Sequence, residues 1–300
     1  MISSIYTLHS YIFQVKLNYY FLKPKFMKLE GKKILITGAS SGIGAAFAER
    51  AAQDKCSIVL ASRDITKLEK IAKKVEKSGS KAKIIQTDVT KENQVRELFL
   101  EAKKELGNID LVFNNAGLGH IAKIHELTIE QIKQMIDVNV YGMIIVSKFA
   151  AEVMTRQKSG HIIMTDSLAG FITLPEWSVY VATKWAILGF ADSIRQELDQ
   201  HNIKVTTIHP GAVKTEFFDK DKANIDIQDA GEAITPEKVA EAVYKTSLTD
   251  KQHVLIPAST KMYAFLYKYA PAVVKYLIGR QTKKIEYHEN LKEDEPQFDK

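Results

Sequence analysis

Short runs of β-branched and apolar residues recur along this chain and alternate with longer amphipathic stretches. The runs lie at Lys33–Thr37, Ser57–Ala61, Lys83–Thr87, Ile109–Phe113, His161–Thr165, Lys204–His209 and His253–Ile256. Helix-favouring segments separate them, at Ile43–Asp54, Thr66–Lys77, Lys91–Leu106, Thr128–Gln157, Trp177–His201 and Pro236–Lys245. Strands that are apolar almost throughout, each followed by a helix, predict a parallel sheet covered on both faces. Right-handed crossovers turn that order into an α/β, doubly wound, Rossmann-like sandwich of about seven strands. With no internal repeat and no linker, one domain accounts for residues 27–260.

The two ends read differently. Residues 1–26 are rich in Tyr, Phe, Ile and Lys without periodicity, and they lack the clear basic region and cleavage site of a secretory signal. Met27 opens MKLEGKKILITG just ahead of the first strand. The expectation is that residues 1–26 are an upstream translation artefact or a loosely held extension, with a membrane-touching anchor the minor alternative. Residues 261–280, KMYAFLYKYAPAVVKYLIGR, are apolar and aromatic but broken by Pro271, so each half is too short to span a bilayer. Tyr263, Leu266, Tyr267 and Tyr269, then Val274, Tyr276 and Leu277, predict a broken amphipathic helix pair. It packs on the body or on a partner subunit; a lid over an apolar substrate, or a membrane-surface contact, is the sharper reading. Residues 286–300 are mostly charged and read as frayed.

Composition changes this picture little. The 300 residues are 45% hydrophobic and 26% charged, and no run of eighteen apolar residues occurs. The net charge of +6 comes from lysines spread among glutamates along helices, as in Lys67–Lys77, which is a solvated face and not a nucleic-acid signal. The single cysteine, Cys56, allows no internal disulfide and fits a reducing cytoplasm as a small buried residue. His120, His125, His161 and His209 lack metal-ligand spacing and read as structural, so no metal is expected.

Chemistry enters at the end of the first strand. Thr37-Gly38-Ala39-Ser40-Ser41-Gly42-Ile43-Gly44 turns into a helix, and its glycines let backbone N–H groups approach a pyrophosphate at the helix N-terminus. The spacing differs from G-x-G-x-x-G, but its place after the first strand of an α/β pattern points to a dinucleotide. At the end of the second strand an acidic residue would bind a ribose 2′-hydroxyl and an arginine a 2′-phosphate. Here Ser62 is followed by Arg63, which favours NADP(H) over NAD(H); Arg63 pairing with Asp64 at the surface is the alternative.

Tyr180 and Lys184 stand four apart on a predicted helix and share a face. A free tyrosine has a pKa of about 10. A neighbouring ammonium is expected to lower it, tuning Tyr180 for proton exchange with a carbonyl or alcohol oxygen. Ser167 can hold that oxygen by a hydrogen bond. Asn114-Asn115-Ala116-Gly117 after the fourth strand, Asn139 in a helix, Ser167 after the fifth strand, Tyr180-Val181-Ala182-Thr183-Lys184 and Pro210-Gly211-Ala212-Val213-Lys214-Thr215 follow in order. On these motifs the chain resembles the short-chain dehydrogenase/reductases over roughly residues 31–257.

The resemblance implies catalytic roles for Ser167, Tyr180, Lys184 and Asn139. Lys184 would also bind the nicotinamide ribose, and Asn139 would position a water in a proton relay. It places Asn115 and Gly117 near the adenosine ribose, Asp88 near adenine and Thr215 near the nicotinamide or pyrophosphate. Val89, Ala116, Pro210, Gly211 and Val213 join the cofactor set beside them. Asp88 reads equally well as a turn or cap residue. Trp177, with Leu168, Phe171 and Leu174, is expected to line an apolar substrate pocket, and Trp185 to pack in a helix interface. The charged segment Glu216–Ile234 falls where the family covers its substrate.

The implied activity is NADPH-dependent reduction of a carbonyl, or the reverse, on an apolar small-molecule or lipid-like substrate. A homodimer or homotetramer built on the Thr128–Gln157 and Trp177–His201 helices is implied as well. The readings from other classes are a cofactor-binding regulator that has lost its chemistry and a membrane-surface scaffold. The first leaves Ser167, Tyr180 and Lys184 without a purpose, and the second rests on residues 261–280 alone.

Overall fold

The computed structural model describes residues 29–215, 217 and 233–272. Its strands are β1 (Lys33–Thr37), β2 (Ser57–Ser62), β3 (Lys81–Gln86), β4 (Leu111–Asn114), β5 (Gly160–Thr165), β6 (Ile203–Pro210) and β7 (His253–Ile256). They form one sheet in the order β3-β2-β1-β4-β5-β6-β7, with every neighbouring pair parallel. The helices are α1 (Gly42–Ala52), α2 (Ile65–Lys77), α3 (Glu92–Leu106), α4 (Ile129–Ile136), α5 (Met143–Gln157), α6 (Ser178–Asp199), α7 (Pro236–Ser247) and α8 (Thr260–Tyr269).

The alternation of side chains along each strand builds two apolar layers. On β1, Ile34 and Ile36 pack with α1, α2 and α7, while Leu35 between them faces α3, α5 and α6. On β5, Ile163 joins the first layer, and Ile162 and Met164 join the second. All six of these side chains are buried completely. At about 25 cal/mol per Å² of buried apolar surface, such residues dominate the stabilisation and fix the register, because a slip of one position would exchange the layers.

The strand order reverses between β1 and β4, so the loops after those strands diverge and leave a crevice at the carboxyl edge of the sheet. The expected helix over Thr128–Gln157 is interrupted: α4 and α5 are joined by a π-helical turn, Asp137–Gly142. This continuous run, Ile129–Gln157, is long and apolar enough to cross a membrane by composition, yet half of its most apolar window is buried within the fold. Met143, Val146, Ala150 and Met154 spend that apolarity on the second layer.

Cys56 is buried, its thiol donating to the Leu29 carbonyl, and burial pushes its pKa up to about 12. That is the inert environment expected of it. Residues 1–26, most of Glu216–Ile234 and the second half of the predicted C-terminal helix pair lie outside the described residues.

Candidate active site

The turn after β1 shows why it is glycine-rich. Gly38 has φ of 64°, and a Cβ there would stand 2.9 Å from the Ala116 Cα. Gly42 opens α1 with φ of 54°. Both positions lie in the left-handed region that side chains disfavour. Ser40, Ser41, Gly42 and Ile43 thereby bring the N-terminus of α1 onto the wall of a cleft of about 580 Å³. Gly44 does not reach that wall; its place is beneath the turn, where the backbone of Gly38 presses against it.

Asn115 ties three strand ends together. Its Nδ2 donates to the carbonyls of Thr37 and Gly38 at 3.3 Å each, and its Oδ1 accepts from the Thr165 hydroxyl at 2.9 Å. The Thr37 hydroxyl in turn accepts from the backbone N–H of Asn115 and of Ala116. The motif residues Asn115, Ala116 and Gly117 are thus held at the cleft by β1 and β5.

The far end of the cleft is polar and basic. Ser62, Arg63, Asp64, Lys67, Thr87, Asp88 and Val89 line it. Asp64 turns its carboxylate to the Lys67 backbone N–H and caps α2, and among the described residues no ion pair joins it to Arg63. Asp88 lines the cleft, and its carboxylate accepts from the N–H and hydroxyl of Thr90 in a turn before α3. Lys67, read in the sequence as part of a solvated helix face, is a second cation on this wall, one turn from Arg63 at the start of α2.

At the opposite end Ser167, Tyr180 and Lys184 meet. The side chains of Ser167 and Tyr180 are hydrogen-bonded. The Lys184 Nζ lies 5.4 Å from the centre of the Tyr180 ring and donates to the Thr165 carbonyl at 3.2 Å. Tyr180 and Lys184 are both buried. Burial raises the Tyr180 pKa above its ordinary value, the Ser167 hydrogen bond pulls it down, and the Asp166 carboxylate raises it further. The expectation of a lowered tyrosine is therefore corrected: desolvation outweighs the lowering by the Ser167 hydrogen bond. Burial likewise lowers the Lys184 pKa, opposed by Asp166.

Asn139 stands behind the wall and not on it. It is fully buried in the π-turn, with its Nδ2 donating to the Leu118 carbonyl and the Thr183 hydroxyl and its Oδ1 accepting from the Leu118 N–H. Pro210, Gly211, Val213 and Thr215 close the cleft from β6.

Leu168, Ala169, Ile172, Leu174, Trp177 and Phe217 give this end its apolar lining. The Trp177 and Phe217 rings pack edge-on to Tyr180 at 5.6 and 5.9 Å. Phe171 does not take part as expected, because its ring lies 4.6 Å from that of His209 instead. Trp185, on α6, is 49% exposed and packs against no other described helix of its own chain to any great extent. Helix α8 is tethered to the body through the hydroxyls of Tyr267 and Thr173, and Met262, Tyr263, Phe265 and Tyr269 face outward. Among the described residues, none of α8 lines the cleft. No cluster of metal-ligating side chains occurs among the described residues.

The family model for short chain dehydrogenases matches residues 32–226. An uncharacterized oxidoreductase of Listeria innocua is 39% identical over 195 residues, covering 64% of this chain and 79% of the relative. One of Staphylococcus saprophyticus is 37% identical over 221 residues, covering 72% and 89%. Among solved structures, an alcohol dehydrogenase from the archaeon Thermococcus sibiricus, complexed with 5-hydroxy-NADP, superposes with a TM-score of 0.69 at 29% identity. That match covers 76% of this chain and 96% of the other.

Proposed function

The chain belongs to the short-chain dehydrogenase family, and from that premise we propose that it is an NADP(H)-dependent oxidoreductase interconverting a carbonyl and an alcohol on an apolar substrate. The observation that carries this reading is the meeting of Ser167, Tyr180 and Lys184 at one end of a cleft whose other end holds Arg63. The residues fit the cofactor. The positive-φ glycines at 38 and 42 bring the N-terminus of α1 to the cleft for a pyrophosphate. Arg63, with Lys67 nearby, supplies positive charge for a 2′-phosphate, and Asp64 is engaged as a helix cap. The NADP analogue bound by the Thermococcus sibiricus relative is in keeping with that preference.

NADP(H), when bound, supplies or accepts the hydride. The chain's own part is proton transfer and orientation. A buried tyrosine with a raised pKa is protonated at neutral pH, which suits it to donate its hydroxyl proton to a carbonyl oxygen as that oxygen becomes an alkoxide. Ser167 holds the same oxygen, and its hydrogen bond together with the Lys184 ammonium stabilises the phenolate left behind. Lys184 also binds the nicotinamide ribose. Asn139, both ends of whose amide are already bonded, contributes to a relay through its backbone and fixes the Leu118 loop through its side chain. In the oxidative direction the proton moves the other way.

Leu168, Ile172, Leu174, Trp177 and Phe217 around Tyr180 support an apolar substrate. The partly exposed apolar face of Ile132, Ile136, Val140, Val179 and Ala182 across α4, the π-turn and α6 supports a homodimer or homotetramer. We place the enzyme in the cytoplasm, in line with its one buried thiol. The test is consumption of NADPH and of NADH over carbonyl compounds graded in chain length and bulk. Turnover with NADPH preferred and with apolar ketones or aldehydes favoured is expected; tight binding of NADH alone would overturn the cofactor assignment.

A further inference from the structure

Helix α8 reverses the usual order of a surface helix. On α2 the residues facing solvent are charged, among them Lys67, Glu69, Lys70, Lys73 and Glu76, while Leu68, Ile71, Ala72 and Val75 are buried. On α8 the side toward the body holds Thr260, which is buried, and Ala264 and Tyr267, which are half-buried. At about 100° per residue, Met262, Phe265 and Tyr269 fall within an arc of about 60° on the opposite side. They are 66%, 61% and 65% exposed, and the Phe265 and Tyr269 rings pack on each other at 4.8 Å. The outward face of α8 is thus apolar and aromatic, and nothing among the described residues covers it.

The charge beside that face is of one sign. Lys261 and Lys268 are exposed on one flank of the arc, with the Lys268 Nζ 5.6 Å from the centre of the Tyr269 ring. The sequence continues in the same sense: Lys275, Arg280, Lys283 and Lys284 follow, and between Asp250 and Glu286 there is no aspartate or glutamate. On α2 and α3, by contrast, lysines are interspersed with glutamates.

The helix also has a fixed place relative to the cleft. The Thr260 hydroxyl donates to the Pro257 carbonyl at 2.7 Å and anchors the first turn just after β7, while the Tyr267 hydroxyl is hydrogen-bonded to that of Thr173. Thr173 is exposed, and its neighbours Ile172 and Leu174 line the apolar end of the cleft that also holds Tyr180. Helix α8 is therefore joined to the segment that walls this end.

We infer that α8 is a docking helix that lies in the surface of an anionic lipid bilayer, with Met262, Phe265 and Tyr269 sunk below the headgroups and Lys261 and Lys268 against the lipid phosphates. Its 10 residues make a helix of about 15 Å, about half the thickness of a hydrocarbon core, so it lies in the interface and does not span it. Tyrosine suits this depth, because its ring is apolar and its hydroxyl polar. A second copy of the chain fits the same face less well. A two-fold contact would bring like-charged patches together, with no acidic residue of the stretch to meet the lysines. Resting on the function proposed above, docking sets the apolar end of the cleft beside the bilayer. The substrate is then a carbonyl compound or alcohol that partitions into lipid and reaches Tyr180 past Ile172 and Leu174.

The docking is measured without turnover, by co-sedimentation of the full chain with vesicles of phosphatidylcholine, alone or mixed with phosphatidylglycerol. The wild type should partition onto the mixed vesicles, and more weakly onto phosphatidylcholine alone or at high salt. The double variant Phe265→Ser/Tyr269→Ser should lower the partition coefficient at least about tenfold. Lys261→Glu/Lys268→Glu should do the same on the mixed vesicles only. All four side chains are exposed, so both variants should melt with the wild type. Failure of the wild type to bind, or equal binding by Phe265→Ser/Tyr269→Ser, overturns the docking. So does a changed oligomeric state of that variant in analytical ultracentrifugation without vesicles, which would make the face a subunit contact. The substrate class is read from carbonyl reduction with mixed vesicles present. In Phe265→Ser/Tyr269→Ser, kcat/KM should fall about tenfold for a long-chain ketone carried in the vesicles and stay unchanged for a short, water-soluble one. Equal effects on the two overturn the substrate class. Turnover of neither compound by the wild type would overturn it together with the proposed chemistry, while sedimentation still decides the docking.

Discussion

Gly44 sits so tightly under Gly38 that a Cβ at position 44 would stand 2.2 Å from the Gly38 carbonyl oxygen. The contact is between backbones, so no side-chain rotation relieves it. Gly44→Ala should destabilise the fold by about 1–3 kcal/mol through overpacking. It should also weaken NADPH binding, because the turn it displaces carries the N-terminus of α1. A thermal melt and a fluorescence titration of NADPH check both effects.

His161 ties stability to pH. It is buried, its Nε2 paired with the Thr206 hydroxyl, and burial pulls its pKa down to about 4. The folded state therefore keeps this ring neutral while the unfolded state, with a pKa near 6.5, takes up a proton as pH falls. The stability is complete above pH 6.5 and is lost progressively as pH drops from there toward 4, by up to about 3 kcal/mol. Urea unfolding at pH 7.5 and pH 5 should show this loss in the wild type and a smaller one in His161→Gln.

Arg63 is expected to discriminate between the two nicotinamide cofactors. A hydrogen-bonded charge on phosphate contributes about 1.5–3 kcal/mol. Arg63→Gln should thus raise the Kd for NADPH by roughly ten- to a hundredfold while leaving that for NADH within about a factor of two. Isothermal titration with both cofactors decides it. An equal loss for the two would assign Arg63 a structural role.

The strands were legible because a parallel sheet buries both faces, so each one reads as an apolar run. Edge strand β3 begins at Lys81, two residues before the expected start, because its lysines alternate outward and hide the period. The break at Asp137–Gly142 left no mark in the sequence, since a π-turn keeps the apolar spacing of the helix around it. Within the site, Ser167, Tyr180 and Lys184 could be read because two of them share one helix face and the third sits at a strand end. The raised pKa of Tyr180 could not, because it depends on burial by Trp177, Phe217 and the sheet. His209, read as structural, is fully buried against Asp166 and Phe171, contacts that only the fold brings together.

The most direct test of the whole account is Tyr180→Phe, compared with the wild type in NADPH-dependent carbonyl reduction and in NADPH binding. Removing the hydroxyl alone should lower kcat by at least about a hundredfold, with the Kd for NADPH and the melting temperature little changed. Turnover in Tyr180→Phe close to that of the wild type would contradict the assignment of Tyr180 as the proton donor, and with it the proposed chemistry.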